Sequence, residues 1–170
     1  MLELDVVEVL NLLKSAGATA WVDGGWGVDA LLGETTREHS DLDLVVLLDQ
    51  VELVRETLVQ AGFANVLRDW LPTALAVADP AGREIDLHPI TVTAAGGGHQ
   101  LLPDGARFYY PAPVMERIGG HKVRCVDAAT QMLCHVGYAP TDKDRRDMAR
   151  LHESTGVALP VEYPGLASGS

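Results

Sequence analysis

The chain has 170 residues and a formal net charge of −11, with 24 Asp and Glu against 13 Lys and Arg. A chain of this length predicts one domain with its own hydrophobic core. The acidic balance excludes nucleic acid as a favoured partner, because binding to a polyanion relies on clustered Lys and Arg. Acids follow the first Met and no apolar run is long enough to span a bilayer, so we expect a cytoplasmic protein without a membrane partner.

The apolar pattern predicts an α+β fold, namely a mixed twisted sheet with helices packed mainly on one face. The predicted helices are Leu4 to Ala16, Gly25 to Leu32, Gln50 to Ala61, a helix capped by Asp127 that runs to about Val136, and Lys143 to Glu153. The predicted strands are Ala20 to Val22, Asp43 to Leu48, Asn65 to Asp69, Ala74 to Ala78, Arg83 to Leu87 and Lys122 to Val126.

Two stretches lack this periodicity. Thr93 to Gly105 is rich in Gly and is predicted to be a mobile loop, either a lid or a plain surface loop. Leu159 to Ser170 contains Pro and Gly and is predicted to be a flexible tail. Residues 1–158 then form a single domain, with the helices from about residue 127 as an appendage.

A pair of glycines and a pair of carboxylates carry the chemistry. Gly24 and Gly25 open a short helix, and such a turn offers bare backbone N–H groups to phosphate. Asp41 and Asp43 lie one residue apart at a Val- and Leu-rich strand, so both side chains point the same way. Two such carboxylates favour a divalent cation between them, and Mg²⁺ takes oxygen ligands of this kind. The alternative is that both lie solvated in a turn.

A third acidic candidate lies on a later strand. Glu84, Asp86 and His88 alternate with apolar residues, which is typical of a half-buried strand with one polar face. We select Asp86 as the third carboxylate. The alternative is an edge strand whose polar face is merely hydrated and which ends at Pro89.

These motifs resemble those of the nucleotidyltransferases of the DNA polymerase β superfamily. Within it, the run from Trp21 to Leu48 is similar to the small antibiotic adenylyltransferases, which include lincosamide nucleotidyltransferases and aminoglycoside 2″-adenylyltransferases. The Asp-Gly-Gly-Trp-Gly-Val-Asp run and the Asp-Leu-His-Pro-Ile run beginning at Asp86 resemble the lincosamide branch more closely. The resemblance implies the polymerase β-like nucleotidyltransferase fold.

The resemblance also implies a role for each motif residue. Gly24 and Gly25 would hold the nucleoside triphosphate, and Asp41 and Asp43 would bind Mg²⁺. Asp86 would complete the metal site, which holds two Mg²⁺ ions in such enzymes, or would act as the base.

The implied reaction is the transfer of AMP from ATP to a hydroxyl of a small-molecule antibiotic, which confers resistance. Relatives often complete the cleft with a second subunit, so a homodimer is expected. Two other functions stay open. One is nucleotidyl transfer to RNA or protein, as in toxin-like relatives, and the other is nucleotide binding without catalysis. The preferred nucleoside triphosphate is also open.

A dinucleotide-binding site is a competing interpretation of the same glycines. The run from Gly25 to Ala30 fits Gly-x-Gly-x-x-Ala. The bulky Trp26 and the charged Asp29 disfavour it, because that helix must pack closely on a sheet. The predicted helix also ends at Gly33, too early for a crossover.

Acceptor specificity is expected from segments outside these motifs. The segments are the loop Thr93 to Gly105, the aromatic run Arg107 to Tyr110, and the helix through His135 and Tyr138. Asp104 and Glu116 are the only acids between Thr93 and Lys122. Since each amine of an aminoglycoside needs a partner, this scarcity favours the less cationic lincosamide.

The cysteines and two histidines complete the candidates. Cys125 and Cys134 have no metal or redox spacing and are expected to be buried free thiols. His39 and His88 neighbour the carboxylates and are expected to act as hydrogen-bonding residues rather than as metal ligands.

Overall fold

The structure is a computed structural model, and it describes residues 1–164. Five α-helices occur in this range: α1 (Glu3–Ser15), α2 (Gly24–Leu32), α3 (Val51–Gln60), α4 (Ala128–Cys134) and α5 (Asp142–Thr155). The strands of the same range are β1 (Ala20–Asp23), β2 (Asp41–Leu47), β3 (Asn65–Trp70), β4 (Ala74–Ala78), β5 (Glu84–Val92), β6 (Gly98–Leu101), β7 (Arg107–Tyr110), β8 (Val114–Ile118) and β9 (His121–Cys125).

All of these strands belong to one mixed sheet. Its main path runs β3-β4-β5-β2-β1-β9-β8, and β6 joins β5 to β7 beside that path. The β2–β5 and β1–β9 pairs are parallel, whereas the other pairs are antiparallel. The predicted mixed sheet is therefore confirmed.

The first three helices cover one face of this sheet. Leu42, Leu44 and Val46 of β2 are fully buried in a core with apolar residues of α1, α2 and α3. The residues between them point to the other face, because side chains alternate along a strand. We call this the open face, and it receives Asp41 and Asp43.

The C-terminal helices pack mainly on α2. Val28 of α2, Met132 of α4 and Met148 of α5 form a second buried cluster. Tyr163 also belongs to this cluster and donates a hydrogen bond to the carbonyl oxygen of His135 at 2.8 Å. The part of the predicted tail up to residue 164 is therefore anchored at Tyr163, which is not what a flexible tail would show. Residues 165–170 lie outside the described residues.

The segment Thr93 to Gly105, which the sequence predicts to be a loop, is not a loop throughout. It contains β6, which pairs with both β5 and β7 and forms a hairpin with β7. At Gly98, a Cβ atom would lie 2.8 Å from the carbonyl oxygen of Thr91 on β5, so only Gly permits this approach. The strand forms through this backbone pairing, and a hydrophobic pattern therefore does not reveal it.

Strand β5 is longer than predicted, since it passes through Pro89. Its pairing with β4 stops at Leu87 and its pairing with β6 starts at Ile90, so Pro89 lies in the gap between the two partners. The alternative of an edge strand ending at Pro89 is wrong, because β5 lies between β4 and β2. The sequence pattern also does not predict β7 and β8.

No helix in the range 1–164 is long and apolar enough to cross a membrane.

Candidate active site

The turn between β1 and α2 brings bare backbone to the open face. Asp23 caps α2 by accepting a hydrogen bond from the backbone nitrogen of Gly24 at 2.9 Å. Gly24 has a φ of +58°, and a Cβ atom there would overlap the carboxylate of Asp43. A Cβ atom at Gly25 would overlap the side chains of His39 and Arg37. Glycine is therefore needed at both predicted positions, because any side chain there would overlap these neighbours.

A buried cluster supports this turn from behind. His39 Nε2 lies 2.5 Å from Asp29 Oδ2, and the hydroxyl of Thr36 donates to the other oxygen of Asp29 at 2.6 Å. The ring of Trp26 packs on that of His39 with centroids 4.5 Å apart. The predicted hydrogen-bonding role of His39 is confirmed, with Asp29 as its partner. Trp26 thus has a packing role, and Asp29 holds His39 and Thr36 by hydrogen bonds.

The predicted carboxylates lie side by side on β2 and β5. The parallel register places Asp41 beside Glu84 and Asp43 beside Asp86, on neighbouring strands about 4.8 Å apart. Burial raises the pKa of Glu84, and the negative charges of Asp86 and Asp41 raise it further. The structure therefore brings all three predicted carboxylates together on the open face, with Glu84 as a fourth.

Asp86 has a partner that the sequence did not indicate. Arg68 on β3 donates a hydrogen bond to Asp86 Oδ1 at 2.5 Å, and its guanidinium lies 5.2 Å from the ring centroid of Trp70. The hydrogen bond that Arg68 donates to Asp86 raises the pKa of Arg68 against the opposing effect of burial. Two antiparallel strand pairings separate Arg68 from Asp86, so no sequence motif joins them.

His88 lies next to Asp43 on the open face. Its Nε2 is 3.4 Å from Asp43 Oδ1, and its Nδ1 is 3.3 Å from the side-chain nitrogen of Gln100. Burial lowers the pKa of His88, but the hydrogen bond to Asp43 and the charges of Asp23 and Asp86 outweigh it, so the pKa is raised. These contacts agree with the predicted hydrogen-bonding role.

A cleft of about 530 Å³ opens above these residues. Its floor is formed by Asp23, Gly24, Asp43 and His88. The β6–β7 region contributes Gln100, Leu102, Phe108 and Tyr110, and the end of α4 contributes Leu133, Cys134, His135 and Val136. The predicted acceptor segments therefore meet here, although Tyr138 does not line the cleft and Tyr109 packs on His99 instead.

Asp23 is a cleft residue to which sequence reasoning assigned no role. It is 4% exposed, and its Oδ2 accepts a hydrogen bond from the Tyr110 hydroxyl at 3.3 Å. Burial raises the pKa of Asp23; the charge of His88 opposes this effect and the charge of neighbouring Asp43 adds to it. The sequence signal that could have identified Asp23 is its position immediately before Gly24 and Gly25.

The two cysteines are unpaired. Cys125 is buried and Cys134 is partly buried. Burial raises the pKa of both thiols. Neither is poised as a nucleophile, in agreement with the prediction of free thiols.

The donor chemistry of the open face fits a hard divalent cation. Asp41, Asp43 and Asp86 offer carboxylate oxygens, which Mg²⁺ prefers. Within residues 1–164, however, no three His, Cys, Asp or Glu side chains are already arranged as a metal site. Asp86 faces Arg68, and Asp43 faces His88. Metal binding would require these carboxylates to turn from their present partners.

Sequence comparison places the chain among antibiotic-modifying enzymes. Residues 5–151 match the family model of aminoglycoside-2″-adenylyltransferases. A lincosamide resistance protein of Staphylococcus haemolyticus is 28% identical over 155 residues, which cover 90% of this chain and 96% of that protein. A 2″-aminoglycoside nucleotidyltransferase of Klebsiella pneumoniae is 40% identical over 37 residues, or 22% of this chain and 21% of that protein.

Solved structures share the architecture described above. The crystal structure of a lincosamide antibiotic adenylyltransferase with lincomycin bound superimposes with a TM-score of 0.81 at 28% identity, covering 91% of this chain and 99% of that chain. The crystal structure of ANT(2″)-Ia in complex with adenylyl-2″-tobramycin gives a TM-score of 0.69 at 19% identity, covering 89% and 88% of the two chains. The latter likeness shows a shared nucleotidyltransferase fold.

Proposed function

Since the chain belongs to the aminoglycoside-2″-adenylyltransferase family, we propose that it transfers AMP from ATP to a hydroxyl of a lincosamide antibiotic. The chain is a nucleotidyltransferase, and enzymes of this kind generally use ATP and a divalent metal. The proposal adds the acceptor, the metal identity and the residue roles. Such an enzyme would act in the cytoplasm, where ATP is made, and would confer lincosamide resistance.

The lining of the cleft is the observation that carries the choice of acceptor. Among its described lining residues, the only acids are Asp23 and Asp43. Leu102, Phe108 and Leu133 contribute apolar walls. An aminoglycoside carries several amines, and each needs a carboxylate or another acceptor to replace water. A lincosamide has one basic amine and apolar groups, and it fits these walls better.

The β1–α2 turn is suited to the triphosphate. Helix α2 spans nine residues, and its N-terminus carries the positive end of the helix dipole. Gly24 and Gly25 lie there without side chains, so their N–H groups would donate to the β- and γ-phosphates. The Arg37 guanidinium near Gly25 is already held by Asp147 at 2.7 Å.

The carboxylates of β2 and β5 would hold Mg²⁺. Asp41 and Asp43 would supply its oxygen ligands. When bound, the metal neutralises charge on the triphosphate as pyrophosphate leaves. A metal also removes the repulsion between the carboxylates of this face, which their neighbours Arg68 and His88 offset only in part.

Asp86 is our choice for the base. Its carboxylate would accept the proton of the acceptor hydroxyl while that oxygen forms a bond to the α-phosphorus and the bond to pyrophosphate breaks. Arg68 would release the carboxylate for this role and remain close enough to orient it. The result is an AMP ester of the acceptor, free pyrophosphate and a protonated Asp86.

A second subunit would complete the acceptor side. Leu133 lines the cleft and is 54% exposed. A large apolar side chain at this position gains stability when another surface covers it. We propose a homodimer on this ground, and light scattering of the purified protein measures its mass directly.

Mass spectrometry of a reaction with ATP and Mg²⁺ tests the proposed function. The acceptors are a pooled panel of lincosamides and aminoglycosides, and the expected product is a lincosamide heavier by one adenylyl group. The Asp43→Asn variant serves as the control and should give about 10²–10³-fold less product, or less still, in the same time. Adenylylation of RNA or of the protein itself, with no antibiotic modified, would overturn the proposal.

A further inference from the structure

Asp23 is a buried carboxylate with too few partners for its charge. It accepts one backbone N–H, from Gly24 at 2.9 Å, and one hydroxyl, from Tyr110 at 3.3 Å. The thiol of Cys134 is 4.0 Å away and donates only weakly. Among the ion pairs of residues 1–164, none includes Asp23. His88 is the nearby group that can oppose this charge, but its hydrogen bond goes to Asp43, so the buried charge of Asp23 still costs stability.

The fold does not need this negative charge. Asp23 caps α2, but Asn caps a helix about as well as Asp does. The antiparallel register also places Asp23 directly beside Asp43, so the second carboxylate opposes the first. A carboxylate kept here at a cost to stability points to a ligand.

The surroundings of Asp23 describe that ligand. Asp23 lies on the floor of the cleft, next to the polar groups of Tyr110 and Gln100, which are 3.4 Å apart. Apolar residues Leu102 and Phe108 line the same cleft. The space therefore suits a molecule with an apolar body and a single cationic or hydrogen-bond-donating group, rather than a polyamine.

We propose that Asp23 recognises the protonated amine of the acceptor, with Tyr110 and Gln100 holding the carboxylate in position. This inference rests on the proposed function and adds to it the chemical group of the acceptor that the enzyme recognises. The acceptor is thus defined by one amine at the floor of the cleft and apolar contacts along its walls. Asp23 has no part in holding the nucleotide or in the proton transfer.

The test compares the Asp23→Asn variant with wild type on two acceptors. The first is lincomycin, and the second is its analogue with an acetyl group in place of the methyl group on the amine nitrogen, which cannot be protonated. Loss of a charge-assisted hydrogen bond should raise the KM for lincomycin about 10- to 100-fold. The kcat and the affinity for MgATP should stay within about threefold of wild type.

The neutral analogue gives the sharper readout. Wild type should prefer lincomycin over the analogue, and Asp23→Asn should lose that preference. Asp104→Asn is the matched control, since Asp104 caps a turn at the backbone nitrogen of Ala106 and does not line the cleft. It makes the same change of charge and should behave as wild type.

Three outcomes separate the possible failures. If wild type modifies no lincosamide, the proposed function fails and this inference fails with it. If wild type modifies lincomycin and Asp23→Asn keeps the same KM and the same preference, the inference alone is wrong. A loss of MgATP affinity or of kcat in Asp23→Asn, at an unchanged melting temperature, would instead assign Asp23 to the nucleotide side and overturn the inference.

Discussion

The nucleotide side of the cleft comes from one short stretch of chain, residues 24–43, together with β5. Its acceptor side comes from the β6–β7 hairpin and the end of α4, which are separated in the chain by β8 and β9. The first region is built from backbone and carboxylates, and the second from apolar walls with a few polar groups. Chemistry that requires fixed spacing therefore sits in a local motif, whereas the acceptor is recognised by side chains that the fold assembles.

Substitution of Asp41 or Asp43 should produce the largest effect and would define the nucleotide side. Asp41→Asn and Asp43→Asn should each lower kcat by about 10²–10³-fold or more, because a charge that stabilises the transition state is lost. The metal-free proteins should keep or raise their melting temperature, since repulsion among the carboxylates decreases. Steady-state kinetics and thermal unfolding measure both. Near-normal turnover in folded Asp43→Asn would refute the metal assignment.

Asp86 lies between the two regions. Its role can be assigned from the property that its substitution leaves unchanged. Asp86→Asn should bind MgATP with close to normal affinity in calorimetry while product formation collapses, since a base acts on the acceptor hydroxyl. Arg68→Lys is the matched variant, because it keeps a positive charge beside Asp86 but loses the guanidinium geometry. If Asp86→Asn weakens MgATP binding as much as Asp41→Asn does, Asp86 is a metal ligand and not the base.

Phe108 should affect only the acceptor side. Phe108→Ala removes an apolar wall, and lost burial of this size corresponds to about 10- to 100-fold in the KM for the acceptor. The affinity for MgATP should not change. Tyr109→Ala is the control, because Tyr109 faces His99 outside the cleft. Equal effects of the two substitutions on acceptor KM would show that the cleft is not the acceptor site.

The smallest expected effect is a stability difference with a defined pH dependence. Burial raises the pKa of Asp23 above 3.8, so between that value and the raised pKa the folded protein binds more protons than the unfolded chain. Stability contributed by this group therefore falls as pH rises through that window. Asp23→Asn should melt a few degrees above wild type at pH 7, and the difference should shrink toward pH 4. A melting temperature lower than wild type at pH 7 would contradict this account of its charge.

The same comparison explains what the sequence could predict. Gly24, Gly25, Asp41 and Asp43 were identified because spacing of one or two residues fixes which way side chains point. Asp86 followed from strand alternation, and the register of β2 with β5 places it beside Asp43. The resemblance to the lincosamide nucleotidyltransferases and aminoglycoside 2″-adenylyltransferases rests on these motifs, and the α+β fold follows from the apolar pattern.

Contacts between distant segments could not be predicted in this way. The Arg68–Asp86 ion pair depends on the register of three strands, and the strand that supplies Gln100 lies in a segment predicted as a loop. Asp23 was visible in the motif, but its burial against Tyr110 was not. The position of Tyr163 in the C-terminal cluster likewise depends on packing between helices.

The choice of acceptor is the central claim, and a ratio of specificity constants tests it most directly. Purified protein with saturating MgATP is assayed with lincomycin and with tobramycin, and pyrophosphate release is followed for each. The account predicts a kcat/KM for lincomycin that clearly exceeds that for tobramycin, because the cleft has apolar walls and, among its described lining residues, only two acids. A kcat/KM for tobramycin well above that for lincomycin would contradict it.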